Sequence, residues 1–342
     1  MDGLNHPWGF AFLPNHSILI TERRGKLKLL NQRGKIEVVL NTPKVWANGQ
    51  GGLLDVAIDK HFNSNNIIFL SYSKSSLDGR KAGTAVTSAV LDRSGQVRLR
   101  NKKVIFSQRL QTRSTVHFGS RIVVSPSGQL FITIGDRGNG RRAQDPFDYS
   151  GSIIRLLPDG SSPRNNPFFI SKMGLPKIWS IGHRNPQGAA WNSYTNSIWT
   201  VEHGAMGGDE LNQPQSGKNY GWPVISYGRH YSGAKIGVGK NKVGMEQPIY
   251  YWDPSIAPSG LAFYSGKLFP KWRGHAFAGA LKYQLLVRLK LVGNDVVEEE
   301  RMFQGIFGRI RDVRQGPEGC IYFLTDENPG GLFKIRPARS PS

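Results

Sequence analysis

A chain of 342 residues with 38% hydrophobic residues, 41 glycines and 20 prolines can bury a sizeable core, and no Gly/Ser-rich or Pro-rich linker divides it. Its single cysteine, Cys320, excludes an internal disulfide, and no apolar run approaches the ~18 residues of a membrane-spanning helix. The formal charge of +21 favours anionic partners, but the basic residues are dispersed and the denser runs, 23–35 and 98–103, read as solvated hairpins. No nucleic-acid partner is therefore expected.

The start, Met1-Asp2-Gly3-Leu4-Asn5-His6, has neither a basic n-region nor an apolar h-region, so no signal peptide is expected in the sequence as it stands. A pattern then recurs: a short β-rich run, a polar turn, a second β-rich run. Residues 10–12 lead to 18–20, 55–58 to 67–70, 122–124 to 130–132, 189–191 to 198–199, 261–263 to 267–269, and 313–315 to 321–323. Six such units give about 57 residues each, the length of a four-stranded blade with its loops. No long 3.6-residue periodicity competes with this. The expectation is an all-β, six-bladed propeller of antiparallel four-stranded blades, one domain over 1–342. Two stacked β-sandwiches are the alternative, without a visible boundary. Cys320, in the apolar run to Leu324, reads as a buried structural thiol.

Four polar segments fall at strand ends, where a propeller places its site. In the first, a two-residue turn at Pro126-Ser127 pairs Ser125 with Gly128 and carries His117 opposite Asp136. Cross-strand partners share a face, and a carboxylate beside an imidazole suits a general base. A surface pair, or a register broken by a bulge, is the bland reading. In the second, Arg184-Asn185 in a Gly-bounded turn can offer a guanidinium fork and an amide to a carboxylate or quinone oxygen, or simply cap a turn. The third runs from Glu202-His203-Gly204 through Gly208-Asp209-Glu210 to Tyr220. Its hard oxygens suit calcium, though EF-hand spacing is absent and Asx turns would serve equally; zinc lacks partners. In the fourth, Arg309-Ile310-Arg311 on a strand puts two guanidiniums on one face, joined by Lys282 if Leu281-Lys282 begins a strand. Two solvent-facing arginines are the bland reading.

Taken in order, several segments resemble the soluble aldose sugar dehydrogenases of the glucose/sorbosone dehydrogenase family, which use pyrroloquinoline quinone. They are His6-Pro7-Trp8-Gly9-Phe10, Gly49-Gln50-Gly51-Gly52-Leu53, His117-Phe118-Gly119-Ser120-Arg121, Gly135-Asp136-Arg137-Gly138, Gly182-His183-Arg184-Asn185-Pro186, Gly207-Gly208-Asp209-Glu210-Leu211-Asn212, Asn219-Tyr220-Gly221-Trp222-Pro223 and Arg309-Ile310-Arg311-Asp312-Val313. The resemblance implies a six-bladed propeller. It implies His117 as general base with Asp136 orienting it, and Gln50, Arg184, Asn185, Tyr231, Lys282, Arg309 and Arg311 around the quinone. Glu210 and Tyr220, the latter through its backbone oxygen, match a calcium site. The implied reaction oxidises an aldose at the anomeric carbon to a lactone, with hydride transfer to the quinone and an unidentified electron acceptor downstream. The implied location is periplasmic, although the missing leader leaves the cytoplasm open; monomer or homodimer are both compatible. Tyr149 and Ser152 stand where relatives carry His and Lys, and Ala205-Met206 where Pro-Arg is common, which bears on substrate preference. A propeller that binds a partner or glycan without catalysis is the alternative function, and a calcium-dependent lactonase a more distant one.

Overall fold

A computed structural model describes residues 1–338; the end of the expected 1–342 domain, residues 339–342, lies outside the described residues. Six antiparallel sheets follow one another along the chain. Their first strands are Pro7–Phe12, Leu53–Ile58, Ile122–Val124, Pro186–Asn192, Pro258–Phe263 and Ile310–Gln315. Each first strand packs beside the first strands of the two neighbouring sheets, so the six line one central channel. The expected six-bladed propeller is what forms.

Burial explains the strand pattern. First strands such as Leu53–Ile58 are buried almost throughout and read as mostly apolar runs, Asp55 being the exception in this one, because both faces meet protein. The outermost strand Asp295–Met302 is mostly exposed and charged, and its Glu298 and Glu300 pair with Arg288 on the adjacent strand. Six apolar cores each lie between successive blades, such as Leu19, Leu27 and Val39 against Val56, Leu70 and Leu91. Phe10, Ile18 and Ile20 likewise meet Leu324 and Leu332 between the last blade and the first. Cys320 is buried, as expected.

Five blades have four strands; the sixth has three. Residues 1–4 flank its third strand, Leu332–Ile335: Leu4 and Gly330 exchange backbone hydrogen bonds at 3.0 and 2.7 Å, and the Leu332 N–H donates to Met1 at 2.9 Å. The ring is thus tied shut by its two ends. One expected hairpin is misplaced. The strand after Leu261-Ala262-Phe263 is Ala276–Ala280, and residues 267–269 lie in the intervening loop. There Tyr264 and Phe269, with the short helical turn Pro270–Trp272, pack as an aromatic cluster instead of pairing.

An ionic square, buried at Asp55, Arg121 and Asp312 and half-buried at Arg314, crosses the channel. Arg121 reaches Asp55 at 3.1 Å and Asp312 at 3.0 Å, and Arg314 reaches the same two carboxylates at 2.6 and 3.0 Å. These residues come from blades two, three and six. The charges balance two against two, which is the condition under which buried ions are tolerated.

Candidate active site

At one end of the channel a cavity of about 370 Å³ is lined by Gln50, His117, Arg184, His203, Tyr231 and Lys282 among others. That volume suits a cofactor-sized ligand.

His117 Nδ1 lies 2.6 Å from Asp136 Oδ1. The pairing expected from the sequence exists, but not by the expected ladder. The turn is longer by one residue: Ser125 pairs with Gln129, and the ladder runs Val124–Leu130, Val123–Phe131, Ile122–Ile132. The chain then leaves regular β geometry, with positive φ at His117, Gly119 and Ser120. Gly119 needs its small size as well, because a Cβ there would sit 2.7 Å from Thr133 O. This irregular segment restores the contact that the register alone would miss.

The dyad is held from several sides. Gln50 Oε1 accepts the His117 backbone N–H at 2.8 Å. The Gly138 N–H donates to Asp136 Oδ1 at 2.7 Å and the Trp222 indole N–H to Oδ2 at 2.8 Å. Burial would raise the Asp136 carboxyl, but the His117 hydrogen bond and charge, the Gly138 N–H and Arg184 outweigh it and hold the group below its ordinary value. With Asp136 ionised, His117 Nδ1–H is the donor of this hydrogen bond.

Arg184 donates to His203 O at 3.1 Å and stands over the Trp222 ring, while its buried Nε has no partner among the described residues. Asn185 is fully buried and accepts the Gly119 N–H at 3.2 Å; its Nδ2 is likewise unpartnered. Lys282 lies in the turn after Ala276–Ala280, not at the start of a strand as expected. Tyr231 is a largely exposed rim residue. Among the described residues none of Arg184, Arg229, Lys282 or Arg309 makes an ion pair. Arg184, Arg229 and Lys282 line the cavity and Arg309 does not; unneutralised cations around it fit an anionic occupant.

Arg309 and Arg311 do not share a face. The strand starts at Ile310 and its register slips between Ile310 and Asp312, which breaks the alternation. Arg311 is buried and bound to Asp326 at 2.5 Å and to Gln187 Oε1 at 2.6 Å. Arg309 is exposed and donates to Leu281 O at 3.4 Å, next to Lys282. The anion that Arg311 needs is supplied by the protein.

A second space of about 10 Å³ adjoins the first and is lined by Arg184, Glu202, His203, Glu210, Tyr220 and Trp222 among others. It is the size of one water or ion. Burial, then the neighbouring Glu202 charge, pushes the Glu210 carboxyl up to about 8. Asn212 bridges both carboxylates at 2.9 and 3.0 Å. The Tyr220 hydroxyl is engaged by Gln213 O and the Gln215 N–H, whereas its carbonyl accepts none of the backbone hydrogen bonds. A buried carboxylate, Glu202, a half-buried one, Glu210, and a free carbonyl fit a hard divalent cation. Among the described residues no three His, Cys, Asp or Glu side chains converge as a metal cluster, so backbone oxygens would complete the shell.

Sequence reasoning gave no role to Trp222, His203 or Arg229, although the first two lie in motifs quoted above. Tyr149 and Ser152 sit in the core between blades two and three, with Ser152 bonded to Tyr149 O at 2.6 Å, and do not line the cavity. Ala205 and Met206 do line it.

The model of the glucose/sorbosone dehydrogenase family matches residues 4–334. The aldose sugar dehydrogenase YliI of Escherichia coli strain K12 is 44% identical over 340 residues, covering 98% of this chain and 91% of that protein. The crystal structure of the soluble aldose sugar dehydrogenase of Escherichia coli in the apo-form superposes with a TM-score of 0.95 at 43% identity, covering 99% of this chain and 98% of that one. The PQQ-bound form of the aldose sugar dehydrogenase of Streptomyces coelicolor superposes with a TM-score of 0.82 at 25% identity, covering 98% and 95%. By sequence and by fold, the chain belongs to the glucose/sorbosone dehydrogenase family.

Proposed function

We propose that this protein is an aldose sugar dehydrogenase that uses pyrroloquinoline quinone and calcium. The observation that carries the reading is the His117–Asp136 dyad opening onto a cavity whose cations lack protein counter-ions. When bound, pyrroloquinoline quinone supplies an ortho-quinone that accepts hydride and three carboxylates that seek cations. Arg184, Lys282 and Arg309 would hold those carboxylates, each charge-assisted contact contributing about 1.5–3 kcal/mol. Gln50 and Asn185 fix the backbone on either side of the base, at His117 and Gly119, and Tyr231 borders the entrance. Glu210 and the Tyr220 carbonyl would hold calcium.

His117 Nε2 takes the proton of the anomeric hydroxyl as the sugar is oxidised, and the anomeric carbon becomes the lactone carbonyl. Asp136 stabilises the imidazolium that forms and keeps its Nε2 aimed. The Trp222 N–H, donating to Oδ2, restrains the carboxylate from turning away. The protein supplies orientation and charge, the cofactor the redox chemistry. Among the described residues no helix is long and apolar enough to cross a membrane, and the electron acceptor is unidentified. The experiment is reconstitution of the purified protein with pyrroloquinoline quinone and calcium, followed by aldose oxidation with an artificial dye acceptor. Activity that requires all three additions supports the reading. Failure to oxidise any aldose under those conditions overturns it.

A further inference from the structure

The cavity has an inner wall of buried Arg184 and half-buried His117 and His203, and an exposed rim that includes Met206, Arg229, Tyr231 and Asp253. Under the proposed function the inner wall meets the cofactor and the anomeric carbon. The rim is then left for the rest of the sugar.

The rim is built, not loose. Met206 and Arg229 exchange backbone hydrogen bonds at 3.0 and 2.9 Å, locking two loops together. The Asp253 carboxylate packs on Gly207, where a Cβ would come within 2.4 Å of Oδ1. Two carboxylates line the cavity. Asp209 is buried and saturated by the Gly204, Ile256 and Ala257 N–H groups and the Ser255 hydroxyl. Asp253 has no hydrogen bond or ion pair to its side chain among the described residues, and neither has the Arg229 guanidinium. An exposed carboxylate with no protein donor, seated against Gly207 on the rim of the cavity, is an acceptor for hydroxyl groups. Its two oxygens match two adjacent hydroxyls, and the Arg229 fork can donate to the same oxygens of the sugar. Its charge also opposes anions that the surrounding cations would otherwise draw in, and specificity is often made by such a repulsive element.

We propose that Asp253, with Arg229, determines sugar specificity by binding the vicinal hydroxyls remote from the anomeric carbon. The preferred substrate is then a neutral aldopyranose with that diol free, rather than a uronate or sugar phosphate. The proposal rests on the dehydrogenase reading, and its test separates the two.

The test uses the protein loaded with pyrroloquinoline quinone and calcium, as wild type and as Asp253→Asn. The probe is 1,5-anhydroglucitol, a pyranose that lacks the anomeric hydroxyl and so binds without turning over. Calorimetry should show roughly tenfold weaker binding to Asp253→Asn, the order expected for one charge-assisted hydrogen bond. The 4-deoxy form should bind wild type more weakly than its parent, yet bind Asp253→Asn equally, since the interaction is already lost. For D-glucose, KM should rise about tenfold with kcat within about twofold, and glucose 6-phosphate should become a better substrate relative to glucose. Equal affinity of wild type and variant for 1,5-anhydroglucitol overturns the proposal. If the loaded wild type oxidises aldoses but binding is unaffected, only the specificity role fails. If it oxidises none, the dehydrogenase reading fails and this proposal with it.

Discussion

His117 and Asp136 meet at 2.6 Å although the ladder between their strands would set Asp136 opposite Phe118. The positive φ at His117, Gly119 and Ser120 makes the difference. The contact is therefore a product of an irregular segment, held by Gln50 below and Trp222 beyond.

Asp136→Asn tests that arrangement. Asparagine can still accept from Nδ1–H but no longer stabilises an imidazolium, and it can rotate to present its amide. Turnover should fall by on the order of 10²-fold or more, within the range typical of a positioned acid–base group. Trp222→Phe removes only one of the supporting donors and should cost less. Steady-state kinetics at saturating cofactor decides, and equal effects of the two changes would contradict the assignment.

The two arginines of the last blade should separate cleanly. Arg311→Ala leaves Asp326 buried without its main partner, whose guanidinium holds that carboxyl far below its ordinary value. Breaking a buried pair costs about 3–5 kcal/mol, so denaturant unfolding should show a large stability loss. Arg309→Ala should leave stability unchanged and weaken the cofactor roughly 30-fold, the equivalent of about 2 kcal/mol. Cofactor titration of each variant at fixed calcium, beside its unfolding curve, is the measurement.

These two arginines also show what the sequence could and could not disclose. The repeated hairpin gave the propeller because burial on both faces makes inner strands mostly apolar runs, as at Leu53–Ile58 apart from Asp55. His117, Asp136 and Arg184 stood out because polar residues interrupt those runs at strand ends. Alternation failed for Arg309 and Arg311 because a bulge intervenes, and Asp326, across the hairpin, leaves no local signal. The square of Asp55, Arg121, Asp312 and Arg314 joins blades far apart in the chain, and nothing within one segment announces it. The strand Ala276–Ala280 was missed because small residues and a twelve-residue aromatic connection, residues 264–275, hide it.

That square predicts a stability effect with no direct catalytic component. Asp55→Asn leaves Arg121 and Arg314 facing a single carboxylate. The loss should be about 3–5 kcal/mol, read by denaturant unfolding. An unchanged midpoint would mean that water compensates the charges.

His203 gives a pH dependence. Burial, then Arg184, Arg311 and His117, lower its imidazole from 6.5 to about 3, while its Nε2 bonds Pro258 O at 2.8 Å. The folded protein thus keeps His203 neutral where the unfolded chain takes up a proton. Its contribution is present above pH 6.5 and is lost as pH falls from there towards 3. The slope should approach one proton, about 1.4 kcal/mol per pH unit. Unfolding of the cofactor-free protein between pH 6 and 4 should show it, and His203→Gln should flatten it. An identical slope in the variant would show that other groups carry the acid sensitivity.

The central claim is that His117 is the base in a quinone-dependent oxidation of an aldose. The most direct measurement compares wild type with His117→Gln after loading with pyrroloquinoline quinone and calcium, following dye reduction by an aldose and the bound cofactor's absorbance together. The account expects turnover to fall about 10²–10⁴-fold with the cofactor still bound. Turnover within a few-fold of wild type, at equal cofactor occupancy, would contradict it.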